Sequence, residues 1–296
     1  MKTQKSRLFL AIVTLLSVIS PLLAQKPKQI IFAVLNDGRT LEPIIQVENG
    51  KLVELESNAE NGWKDFSKTY YKPKTSYNLI FGGIANGKVS VINGPADGDC
   101  AANMASATTV SAKAKLKGLV MALATDVPIK KGALGTRRTP TLAERTELEK
   151  IIKAEFTKQK VSAANLKGLR YHNLTALDVN NDKKPEFVGS YWLPTAKTER
   201  AMLFFIAEKG ADGKYIFTHS QYETVKQADV MSGDIKDVDN GVYHELLLDA
   251  FDVDGDGTAE IFTIGQAFEG NNFHIYKREA DKWTKAKELY NYHCGY

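Results

Sequence analysis

Short runs of apolar residues, many of them alternating with polar ones, fill most of this chain and are separated by turn-forming dipeptides. In "QIIFAVLNDGRTLEPIIQVENGKLVELE", Asn36-Asp37-Gly38 and Asn49-Gly50 lie between such runs, and in "YNLIFGGIANGKVSVING" Asn86-Gly87 does the same. Asn-Gly and Asp-Gly supply the positive φ angles that tight hairpins need, so the pattern predicts several antiparallel hairpins between residues 25 and 128. "DGDCAANMASATT" is small and polar and predicts a loop leading into another strand. "LKGLVMALATDV" fits either a strand or a helix, since periodicity does not separate the two.

The period then changes. "PIKKGALGTRRTPT" (128–141) has Gly, Pro and four basic residues without apolar periodicity, and reads as a solvated linker. Thr141 and Glu144 form a capping box in front of a helix reaching about Gln159, with Leu148, Ile151, Ile152 and Phe156 as its apolar stripe. From residue 164 the strand pattern returns. The chain therefore divides into 1–24, a leader; 25–128, antiparallel β; 129–163, basic linker and helix; and 164–296, a second β region. The expected fold is mainly β: an antiparallel sandwich or a partial propeller-like array of β repeats, with one prominent helix.

The second β region is duplicated. "LTALDVNNDKKPEFVGSYW" aligns with "LDAFDVDGDGTAEIFTIGQ" at an offset of 74, so that Leu174, Ala176, Asp178, Val179, Asp182 and Glu186 match Leu248, Ala250, Asp252, Val253, Asp256 and Glu260. Oxygen ligands at alternate positions let a short turn wrap a hard cation, and Gly257 permits the sharp bend. Asp252, Asp254, Asp256 and Glu260 offer four carboxylates, with the Thr258 carbonyl beside them. An EF-hand is excluded, because its twelfth position falls on Thr263 and the flanks read as strands.

The pattern D-x-D-x-D-G-x-x-E followed by a strand resembles the calcium-binding FG-GAP or VCBS-type repeat of integrin-like propellers and many exported bacterial proteins. The resemblance implies a Ca²⁺ site at Asp252, Asp254, Asp256, the Thr258 carbonyl and Glu260. In the earlier copy it implies Asp178, Asn180, Asp182, the Lys184 carbonyl and Glu186. That copy departs from the pattern at Lys183, which stands where glycine is expected, and at Pro185. The resemblance covers the region of the two loops and leaves the first half unexplained.

Charge and cysteines place the chain. Lys2, Lys5 and Arg7 precede an apolar run from Leu8 to Ile19 and a breaker at Ser20-Pro21, the form of an export signal with Ala24 as cleavage residue. The run is short of the ~20 residues of a membrane span, so no transmembrane segment is expected after cleavage. Export to the periplasm or the extracellular space follows. The formal charge of +4 includes three from the leader, so the basic balance is no nucleic-acid footprint. Between Asp229 and Glu269, eleven acidic residues face one basic residue, Lys236, and a bound cation would offset that repulsion. Cys100 and Cys294 suggest one disulfide in an exported chain, two separate thiols being the alternative.

Function reads first as a non-catalytic binding or structural module, with Ca²⁺ ordering loops between strands and an extracytoplasmic protein or glycan as partner. A secreted hydrolase using the acidic cluster is the second reading. No G-x-S-x-G, P-loop or dinucleotide fingerprint supports it, and "HELLLD" has Leu248 where a zincin has its second His. A third is a recognition surface of exposed aromatics: Tyr191, Trp192, Phe268, Phe273, Tyr276 and Trp283.

Overall fold

The computed structural model describes residues 28–55, 62–95, 103–129, 136–231, 233–236 and 242–293. Residues 1–24, read as a leader, and both cysteines lie outside these residues. The strands are β1 (Gln29–Leu35), β2 (Thr40–Glu48) and β3 (Lys51–Val53), followed after helix α1 (Gly62–Tyr70) by β4 (Ser76–Ile80), β5 (Ala85–Asn93), β6 (Ala105–Val110) and β7 (Ala122–Thr125). A short β8 (Arg137–Arg138) precedes helix α2 (Leu142–Lys158). Then come β9 (Arg170–Leu177), β10 (Glu186–Ala196), β11 (Glu199–Lys209) and β12 (Tyr215–Lys226), and finally β13 (Glu245–Phe251), β14 (Glu260–Ala267), β15 (Gly270–Glu279) and β16 (Lys282–Tyr292). Every pairing among the described strands is antiparallel, and the fold is mainly β as expected. No described helix is long and apolar enough to cross a membrane.

The first half closes on itself. β1 pairs with both β2 and β7, joining β1-β7-β4-β5-β6-β2 into a six-stranded ring, with β3 on its edge. Ile30, Phe32 and Val34 of β1 point inward to Tyr77, Leu79, Val89 and Val91, and Phe66 and Tyr70 of α1 join that core. Alternate residues Ile31, Ala33 and Leu35 point outward against Leu246, Leu248, Phe262 and Ile264. Strand β1 is apolar from Ile30 to Leu35 because both faces are buried there.

The second half is two four-stranded meanders stacked face to face, with β8 added beside β9 to make the outer sheet five-stranded. Sheet β13–β16 turns one face to the barrel and the other, through Leu247, Ile261, Tyr276 and Trp283, to Leu177, Val188, Phe204 and Ile206 of sheet β9–β12. The far side of that sheet receives the α2 stripe of Leu148, Ile152 and Phe156, each fully buried. Burying a side chain of this kind contributes about 1.5–3 kcal/mol, which explains why α2 sits on the sheet. Its capping box is present, and Glu144 also clamps Arg138 with two 2.7 Å hydrogen bonds.

One open local reading is settled and three change. "LKGLVMALATDV" contributes strand β7. The second hairpin turns at Phe81–Ile84 on Gly82 and Gly83, both at positive φ, and Asn86-Gly87 lies inside β5. A second, shorter helix, α1, packs Trp63, Phe66 and Tyr70 near the barrel interior. Arg137, read as part of a solvated linker, is a strand residue whose side chain is enclosed, at 7 % exposure.

Candidate metal centre

Both acidic turns join the first two strands of a meander, and they are built alike. In the second turn, Val253 N donates to Glu260 Oε2 (3.0 Å), Asp256 N to Asp254 Oδ1 (3.1 Å), Gly257 N to Asp252 Oδ2 (3.2 Å) and Thr258 N to Asp256 Oδ1 (2.9 Å). In the first, Val179 N donates to Glu186 Oε2 (3.2 Å), Asp182 N to Asn180 Oδ1 (3.1 Å), Lys183 N to Asp178 Oδ2 (3.1 Å) and Lys184 N to Asp182 Oδ1 (2.8 Å). All four bonds recur at the offset of 74. So do the left-handed positions: Gly255 and Gly257 at φ 75° and 95°, Asn181 and Lys183 at 59° and 64°. A lysine bears the strain that glycine relieves in the second copy, since the left-handed region costs an L-residue roughly 1–2 kcal/mol.

The second loop gathers charge. One oxygen each of Asp252, Asp254 and Glu260 lies within 4.8 Å of the others, and among the described residues this is the one such group of acidic or imidazole ligands. The space beside them receives a cation from the chain itself. The Lys277 ammonium contacts Asp254 Oδ2 and lies 3.3 Å from Asp256 Oδ2 and 3.6 Å from Glu260 Oε1. Burial, with Asp254 adding repulsion, pushes the Glu260 carboxyl up to about 7 although the Val253 amide and Lys277 oppose it. The donor set fits a hard cation: three carboxylate oxygens from three residues already converge on one positive charge.

The first loop has the opposite neighbour. Ile261 pairs with Tyr276 and Phe187 with Ala207, so Lys277 corresponds to Glu208. Arg278 of the second meander forms a fork onto Glu208, with Nη2 2.8 Å from Oε1. Glu186 is pushed up to about 7, chiefly by burial, with Glu208 and Asp182 adding to it. Asp178 and Glu186 are buried, and Asp182 and Lys184 are not tightly enclosed. Here the sequence departures at Lys183 and Pro185 coincide with a loop that brings no three acidic ligands together among the described residues.

The aromatic surface is overturned. Tyr191, Trp192, Phe273, Tyr276 and Trp283 are each buried in the cores, and of that set Phe268 alone is exposed, at 37 %. Strand β13 begins at Glu245, just after His244, so no zincin helix exists there. One polar pair escaped the reading of the sequence. Asp249, in the apolar run "LLLDAF", accepts from Gly82 N, Gly83 N and Arg137 Nη1 (2.9 Å) with no exposure at all. Arg137 Nη1 also donates to Met121 O and Leu248 O, tying the barrel to the middle sheet. An aspartate amid buried strand residues was the available signal. No family model matches the chain, and neither a curated protein nor a solved structure matches it significantly.

Proposed function

We propose that this chain is an exported calcium-binding β protein, acting as a non-catalytic binding module whose acidic loops secure the stacked sheets. The observation that carries the reading is the convergence of Asp254, Asp256 and Glu260 oxygens on a cation, with Asp252 at their side. In the proposed site, Ca²⁺ takes the place of the Lys277 ammonium, and Asp252, Asp254, Asp256 and Glu260 hold it with the Thr258 carbonyl. A divalent ion offsets more of the carboxylate repulsion than an ammonium does. The first loop, with Asp178, Asn180, Asp182, the Lys184 carbonyl and Glu186, is the weaker site of the two. The basic and apolar leader supports export, to a compartment where Ca²⁺ sites of ~10⁻⁴–10⁻³ M are filled. Thermal unfolding in calcium against EDTA tests this. A raised midpoint supports the site, and an unmoved one means that Lys277 alone closes the loop.

A further inference from the structure

At the ends of β13 and β14 opposite the acidic loop, the two meanders part. Between β11–β12 and β13–β15 lies a cavity of about 570 Å³, within the ~300–1,000 Å³ usual for small-ligand sites.

Its inner wall carries a prepared carboxylate. Glu245, with a side chain 8 % exposed, accepts from Thr263 Oγ1 (2.6 Å) and Tyr276 OH (2.8 Å), and His274 Nδ1 lies 3.0 Å away. The two hydroxyls donate to Oε1 with the His274 ring beside it, and Oε2 of this lining residue receives no donor among the described residues. Burial works against the charged form, but His274 and the two hydroxyls outweigh it and hold the Glu245 carboxyl below its usual range. A carboxylate fixed through one oxygen, with the other open to the cavity, is placed to accept a donor from a ligand.

The rest of the lining narrows that donor. Glu223 and Asp229 stand with Glu245, and no Lys or Arg among the described residues lines the cavity, which disfavours phosphate, sulfate or carboxylate ligands. Gln221, Gln266 and Asn272 add three primary amides, each with donors as well as an acceptor. An ammonium offers those amide donors nothing to bond, whereas a hydroxyl is donor and acceptor at once. Phe268, on the turn between β14 and β15, gives the rim a flat apolar face.

The geometry points to a saccharide-binding cleft: a neutral polyhydroxylated ligand donates one hydroxyl to Glu245 Oε2, exchanges hydrogen bonds with Gln221, Gln266 and Asn272, and rests an apolar ring face on Phe268. This names the ligand class of the binding module and rests on that reading, though not on its metal.

Calorimetric titration of the full chain decides it, using neutral mono- and oligosaccharides of the glucose, galactose, mannose and N-acetylglucosamine series, with spermidine and inorganic phosphate as charged probes. At least one saccharide binds, and Glu245→Gln and Phe268→Ala each weaken it about tenfold or more. Phe268 is exposed, so its variant remains decisive even where Glu245→Gln fails to fold. The cleft assignment is overturned if no saccharide binds, if Phe268→Ala leaves saccharide affinity unchanged, or if spermidine or phosphate is the only probe that binds. Titrations in calcium and in EDTA separate the two claims. A calcium-raised midpoint without saccharide binding removes the cleft alone, and saccharide binding without a calcium response removes the metal alone.

Discussion

The amide of Ala259 donates a 2.8 Å hydrogen bond to the carbonyl of Val179, so the two acidic loops touch through their backbones. Both residues are fully buried in the core between the meanders. The Ala259 amide should therefore exchange with solvent only on global unfolding. Hydrogen exchange followed residue by residue checks this: protection close to the most protected amides of β14 is expected, and fast local exchange would show that the loops are not joined.

Lys183 and Gly257 occupy the same position in the two turns, and both are left-handed. Lys183→Gly should stabilise the chain by up to about 1 kcal/mol by relieving that strain, whereas Gly257→Ala should cost about 1–2 kcal/mol. Nothing lies within 4 Å of a Cβ placed at Gly257, so the effect of the second change is conformational. Urea unfolding of the two variants measures both signs.

Arg137, on β8 at the edge of the outer sheet, and Asp249 of the middle sheet form a buried pair that also bonds the barrel at Met121, Gly82 and Gly83, with exposures of 7 % and 0 %. Removing one partner leaves the other charged and enclosed. Arg137→Met should cost about 3–5 kcal/mol in denaturant unfolding. A loss below about 1 kcal/mol would show that the pair does not anchor the junction of the three sheets.

Local signals were legible in the sequence and distant ones were not. Asn36-Asp37-Gly38 and Asn49-Gly50 turn as read, Thr141 and Glu144 cap α2, and the two acidic copies share their hydrogen bonds because each is written within nine residues. Barrel closure depends on Ile31 meeting Thr125, and the polar hub on Arg137 meeting Asp249. Neither pairing leaves a periodic trace. Lys277 is likewise a plain strand residue by pattern, and only the register of β14 against β15 brings it to the acidic loop. The aromatics misled because alternation does not distinguish a solvent face from a face covered by another sheet.

Glu186 and Glu260 each have a folded value of about 7 against an ordinary 4.5, with burial the largest cause. Between these values the folded chain binds more protons than the unfolded one, so stability falls as pH rises through the window. Their contribution is fully present below about 4.5 and lost above about 7, on the order of 3 kcal/mol for each group. In EDTA, the difference in unfolding free energy between the parent and a Glu186→Gln, Glu260→Gln double variant should shift in favour of the variant from pH 5 to pH 8. Calcium, which favours the charged carboxylates, should flatten that dependence. A difference that moves the other way in EDTA would mean that the two groups are ionised at little cost.

Above all, the second acidic loop should take a divalent cation where Lys277 now reaches in. The thermal midpoint of the chain from residue 25 onward, followed across a calcium titration, measures this. The parent should rise with millimolar calcium, by about 1.4 kcal/mol of stability at ten times the dissociation constant, and EDTA should reverse the rise. Asp254→Ala and Asp256→Ala should each abolish it. A parent midpoint indifferent to calcium, or an equal rise in both variants, would mean that the loop is no calcium site.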